Sequence, residues 1–141
     1  MDPYFGPGSR KWQPFLLFLD AALSNKPHTT LFVEFLYNYD AERTVAPFVL
    51  LKKLRQERPD IFERCEVQFR GIREKSHSEK LHNRYVLTDI GGLFFGVGLD
   101  EEDENHLDDV SLLNRDLYQL RWKQYVTGEA FQTVDVVSSA H

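Results

Sequence analysis

The sequence predicts an α/β domain in which a mixed central β-sheet carries helices on both faces. Three observations point there. Segments with helical periodicity alternate with runs rich in β-branched and aromatic residues, and a glycine pair in Asp89-Ile90-Gly91-Gly92 separates two strand-like runs. With 42% hydrophobic and 13% aromatic content over 141 residues, the chain suits a single domain, 1–141, with one real core.

In chain order, residues 9–24 place Trp12, Phe15, Leu16, Leu19 and Leu23 at helical spacing, with Ser9 as the N-cap. Pro14 falls in the first turn, where a missing N–H is tolerated. Residues 29–40, TTLFVEFLYNYD, have no breaker before Asn38 and predict a largely buried strand. From Glu42 to Gln56 the apolar residues Val45, Phe48, Val49, Leu51 and Leu54 recur at helical intervals. Pro47 marks the helix start or a kink, and Pro59 closes the segment. Residues 65–72 alternate Cys65, Val67 and Phe69 against Glu66, Gln68 and Arg70, the pattern of a half-exposed strand, and 73–80 reads as a polar loop.

Two strands, 81–89 and 93–99, then meet at a tight turn that glycine accommodates. An acidic loop with seven carboxylates from Asp100 to Asp109 follows. It lacks the spacing and glycine of a calcium loop, so a solvated loop is the expectation. A short strand around Val110 to Leu113, a helix around Arg115 to Val126 and a last strand through FQTVDVV complete the elements. Trp12, Phe15, Phe32 and Phe35 are expected in the core, as are Trp122 and Tyr125 on the late helix.

Bulk charge narrows the function. A net charge of -5 and a pI near 5.5 argue against nucleic-acid or membrane binding driven by the whole molecule, so a phosphate ligand needs a local basic patch. The single cysteine, Cys65, excludes an internal disulfide and a multi-cysteine zinc site, and fits core filling in a reducing cytoplasm. No apolar run approaches the ~20 residues of a spanning helix, and no signal-peptide order opens the chain, so a cytoplasmic location is expected. The opening MDPYFGPG looks like the tail of a strand and its turn, which predicts truncation from something longer.

The chemistry-bearing residues gather on the strand 81–89. Alternation puts His82, Arg84, Val86 and Thr88 on one face and Asn83, Tyr85 and Leu87 on the other, with Asp89 at the far end. A histidine beside a fixed cation, with a carboxylate nearby, is the minimum apparatus for holding a phosphate and attacking phosphorus. Arg70, Arg73, Lys75, His77 and Lys80 lead into it and form the expected basic patch, with Lys80 and Arg73 as added phosphate contacts. Asp89 beside Ile-Gly-Gly also reads as a plain turn former, and Arg84 as a sheet-surface ion-pair partner for Asp89 or Glu101.

Here the chain resembles the phospholipase D superfamily, whose signature is His-x-Lys, four residues, Asp, six residues, then Gly-Ser-x-Asn. His82, Asp89 and Gly96 stand at matching positions, while Arg84, Val97 and Leu99 replace the lysine, serine and asparagine. The run His82, Arg84, then Gly96, Gly98, Leu99 and Asp100 is similar to the phospholipase D-like domain at the C-terminus of MIT-domain proteins and its stand-alone bacterial relatives. That resemblance implies a phospholipase D-like fold and a non-catalytic phosphate or phosphodiester binder, for nucleic acid or a lipid headgroup. It implies roles for His82, Arg84 and Gly96, no cofactor and no metal, and a place in a larger intracellular assembly such as a bacterial defence system. The alternative it implies is a metal-independent nuclease or phosphodiesterase working as a homodimer, with His82 as nucleophile and Arg84 and Asp89 in the catalytic set. A protein-interaction module with a vestigial phosphate site is the third class.

Overall fold

The computed structural model describes residues 11–24, 30–75, 84–95 and 110–140. Three helices and six strands follow in the order α1 (Trp12–Ser24), β1 (Leu31–Asn38), α2 (Pro47–Glu57), β2 (Cys65–Glu74), β3 (Arg84–Thr88), β4 (Gly91–Phe95), β5 (Val110–Leu112), α3 (Arg115–Arg121) and β6 (Phe131–Ser138). The α/β class holds. The expected single central sheet does not, because the described strands divide into two three-stranded sheets, β1-β2-β6 and β3-β4-β5.

In the first sheet β1 and β2 run parallel, Leu31 opposite Cys65 through Asn38 opposite Ile72, with α2 as the crossover between them. β6 closes the other side antiparallel to β2. The register of that pair steps between Gly71 and Ile72: Asp135 faces Gly71 and Thr133 faces Ile72, so Val134 is an extra, unmatched residue.

Alternation sends Leu31, Val33, Phe35 and Tyr37 of β1, and Cys65, Val67 and Phe69 of β2, to one face. There they bury the apolar stripes of α1 and α2: Trp12, Phe15, Leu16, Leu19 and Leu23 from one helix, Leu50, Leu51 and Leu54 from the other. Pro47 is the first residue of α2, after extended Ala46, so the proline starts this helix rather than kinking it. Pro59 opens a 3-10 turn, Pro59–Glu63, that delivers Ile61 to the same core.

Polar contacts tie α1 to this junction. Arg58 donates to both carboxylate oxygens of Asp20, at 2.9 and 2.6 Å, and to both of Asp60, at 3.0 and 2.7 Å. Trp12 Nε1 donates to Glu57 at 2.7 Å, and Arg64 donates to the Leu23 carbonyl at 2.6 Å.

The opposite face of the first sheet meets the second. Ile72 and Leu36 pack with Phe131, Ala130, Tyr125, Tyr85 and Leu87 in a smaller core. Tyr125 arrives there through a π turn, Trp122–Val126, that continues α3 and exits through Gly128 at φ 75°. The second face of the first sheet is thus reached by Tyr125 of the π turn, while α3 itself packs on β4 of the other sheet. Two of the predicted core aromatics are exceptions: Trp122 is half-buried and belongs to neither core, and Phe32 lies on the face away from α1 and α2 and is 54% exposed. β1 is accordingly half-buried for most of its length rather than largely buried.

Candidate functional site

The hairpin β3–β4 forms, but the two glycines expected in its turn are the first residues of β4 instead, without positive φ. Arg84 pairs with Phe95 and Thr88 with Gly91, and Asp89-Ile90 makes the turn. Thr88 Oγ1 donates to the Gly91 carbonyl at 3.0 Å and accepts from the Ile90 N–H at 3.3 Å, which closes the turn without the Asp89 carboxylate. Gly92 is required for a different reason. A Cβ there would sit 2.8 Å from side-chain carbons of both Leu113 and Leu87, so the missing side chain lets the helix-leading segment lie against the hairpin. Tyr118 of α3 donates to the Thr88 carbonyl at 2.7 Å, and the Leu113 N–H to the Gly92 carbonyl at 2.9 Å.

Packing then decides which way Arg84 faces. Tyr85 and Leu87 join the smaller core, and the Tyr85 ring lies 5.6 Å from Phe94 and 5.5 Å from Tyr125. Arg84, Val86 and Thr88 must then occupy the opposite face of β3. Their cross-strand neighbours are Phe95 and Leu93, followed on β5 by Val110 and Leu112, the last 79% exposed. Arg84 thus rises half-buried at one end of an apolar sheet face. Among the described residues it has neither an ion pair nor a hydrogen bond.

The other predicted site residues are less concentrated. Asp89 is exposed at the opposite end of β3, five residues from Arg84 and so roughly 16 Å away along a strand at ~3.3 Å per residue. It serves the turn, and an Arg84–Asp89 ion pair is out of reach. Arg73, near the end of β2, pairs across from Gln132 and donates from Nε to the Tyr39 carbonyl at 3.3 Å. Lys75 donates to the carbonyls of Gly128 and Glu129, and Arg70 forms an ion pair with Glu34 at 2.5 Å. Three cations of the expected patch therefore hold the fold together. Lys80, His82 and Gly96 lie outside the described residues, as do the acidic run 100–109 and the other four histidines.

One cation near the site gives no cue in the strand pattern. Arg121, in the last turn of α3, stacks its guanidinium over the Tyr85 ring at 5.3 Å and donates to Gln124 at 2.6 Å. Its i, i+3 spacing from Gln124 is visible in the sequence, but the partner ring comes from a strand about forty residues away. It braces the face of β3 that Arg84 does not use.

What this geometry defines is a permanently charged fork with five donors, on a strand and bordered by apolar side chains that raise the strength of any charge pairing made there. Such a group binds a phosphate or carboxylate in bidentate fashion. Comparison with family models, with curated proteins and with solved structures finds no match to this chain.

Proposed function

We propose that the chain is a phospholipase D-like domain that binds a phosphate or phosphodiester group through Arg84, with His82 two residues before it in sequence. The observation that carries this reading is a guanidinium uncommitted among the described residues. Arg70 has an ion-pair partner and Arg73 and Lys75 are bonded to backbone carbonyls, whereas Arg84 stands half-buried without a partner among the described residues. Holding an arginine in a poorly solvated place without a counter-charge costs free energy, and a bound anion would recover it.

The reading is of a binder, not a catalyst. The resemblance to the phospholipase D signature supports it at His82, Asp89 and Gly96, while Val97 and Leu99 stand where the enzymes carry the hydroxyl and amide that orient the histidine. Membership of a larger intracellular assembly rests on that resemblance alone.

Inorganic phosphate and a short single-stranded oligonucleotide are the probes. At ten times Kd a ligand stabilises the folded state by about 1.4 kcal/mol, a shift of a few degrees in Tm. Arg84→Ala should weaken binding about 10- to 100-fold without lowering the Tm of the unliganded protein, and Arg84→Lys should retain part of it. Unchanged affinity in Arg84→Ala overturns the proposal. Cleavage of the oligonucleotide that survives EDTA and is lost in His82→Ala would instead establish the homodimeric enzyme.

A further inference from the structure

The outer edge of β6 presents a second site, unrelated to Arg84. β6 pairs with β2 on one side and with no described strand on the other. The Ser139 N–H donates to the Val67 carbonyl at 2.9 Å, so alternation along the strand turns the backbone of Val137 and Asp135 toward β2 and that of Val136 and Ser138 outward. Among the described residues, nothing bonds the outward backbone groups of Val136.

Beside this edge runs a groove of about 600 Å³ between β6 and α2, lined by Phe48, Leu51, Lys52, Arg55 and Val136 among others. Its apolar lining comes from Phe48, 62% exposed, with Leu51 and Val137. Its charged lining residues are two cations, with no carboxylate. Arg55 is aimed by stacking on Phe62 at 5.3 Å and by a bond to the Ser139 carbonyl at 3.3 Å. Lys52 is exposed and has no ion pair among the described residues.

From these features we infer that β6 and α2 form a strand-capture site for an extended peptide that carries carboxylates among apolar residues. An unpaired strand edge is a template for a further strand, whose main chain supplies affinity and whose alternate side chains supply selection. The dimensions agree. Phe48 to Arg55 spans about 10 Å of helix at ~1.5 Å per residue, and same-side residues of a strand are about 6.7 Å apart, so two successive side chains of one captured strand fit the groove. One lies over Phe48 and Leu51, and the next, a carboxylate, meets Lys52 and Arg55. Charge separates this occupant from a second copy of the chain, since edge-to-edge pairing about a two-fold would bring each groove's cations toward their own kind.

The test uses the full chain and a short fluorescein-labelled peptide of repeating Val-Val-Glu-Glu, in which same-side residues are valine and glutamate in turn, followed by anisotropy, with a lysine-for-glutamate peptide as control. The glutamate peptide binds and the control does not. Lys52→Glu weakens the glutamate peptide about tenfold, with a reduced dependence on salt. Val136→Pro removes the outward N–H, leaves the ladder to β2 intact and abolishes binding while circular dichroism and Tm are kept. Equal binding of the two peptides, absence of binding, or unchanged affinity in Lys52→Glu overturns the inference. So does a concentration-dependent dimer that is lost in Val136→Pro without peptide binding, which would assign the edge to a second copy.

Discussion

At position 71 a hydrogen atom occupies the only space available. A Cβ on Gly71 would stand 2.7 Å from Cβ and 2.8 Å from Cγ of Tyr39, close to the backbone of that residue and with little room to give. Gly71→Ala is therefore expected to cost about 1–3 kcal/mol, read as a lower midpoint in urea with an unchanged slope. Cys65 behaves in the opposite way, as a side chain that fills its place. It is buried in the larger core, and burial pushes its thiol up to about 11. At pH 8 it should resist a thiol reagent until the protein unfolds, so the modification rate in denaturant should follow the unfolding curve. Both the burial of Cys65 and the turn at Asp89 are readable in the sequence, because strand alternation and turn chemistry are local rules. The exposure of Phe32 is not, because its side of β1 depends on which face α1 and α2 cover. The same limit applies to the basic patch: residue type places Arg70, Arg73 and Arg84 close in the chain, but only the pairing of β2 and β3 with different sheets separates the committed cations from Arg84, which has no partner among the described residues.

The elements themselves were the most legible layer. The stripe of Trp12, Phe15, Leu16, Leu19 and Leu23 and the proline at the start of α2 act over a few residues, and both helices stand where these patterns indicate, while the hairpin forms with its glycines in β4 rather than in the turn. The π turn after α3 is not readable in this way, since Tyr125 is carried to its position by the ring cluster of Tyr85 and Phe131 rather than by local preference. Helix α1 illustrates what the elements owe to ionic contacts. The Arg58 guanidinium holds the carboxyls of Asp20 and Asp60 below their ordinary range, and bonds from Trp12 and then Lys53 do the same for Glu57. Groups lowered on folding contribute stability above the unfolded carboxylate pKa of about 4, and that contribution is lost as pH falls through their folded values. Urea stability should accordingly be flat above about pH 5 and fall below pH 4. Arg58→Gln should flatten that acid limb and cost about 1–2 kcal/mol at pH 7, less than a buried pair would because Asp20 and Asp60 are partly solvated.

On the scale of the molecule, two cores of unequal size share one sheet. The larger joins α1, α2, β1 and β2, and the smaller joins the hairpin and the π turn to the other face. Hydrogen exchange should report this inequality, with the amides of β2 the last to exchange and those of β3–β5 exchanging through an earlier, separate opening. Protection of both sheets to the same extent would show that they unfold as one. The division into two sheets was beyond the reach of the sequence because pairing partners are chosen across long separations, as β2 chooses β6 over the neighbouring β3. The unmatched Val134 makes that choice workable. Without it, Phe131 would point to the same side as Val137; with it, Val137 serves the larger interior and Phe131 the smaller one across the sheet. One supernumerary residue thus acts as a half-twist in the wiring, letting a single terminal strand fasten two interiors at once. Removing it by deletion should cast Phe131 into the wrong compartment and detach the hairpin, while trimming the same valine to alanine should leave both interiors closed.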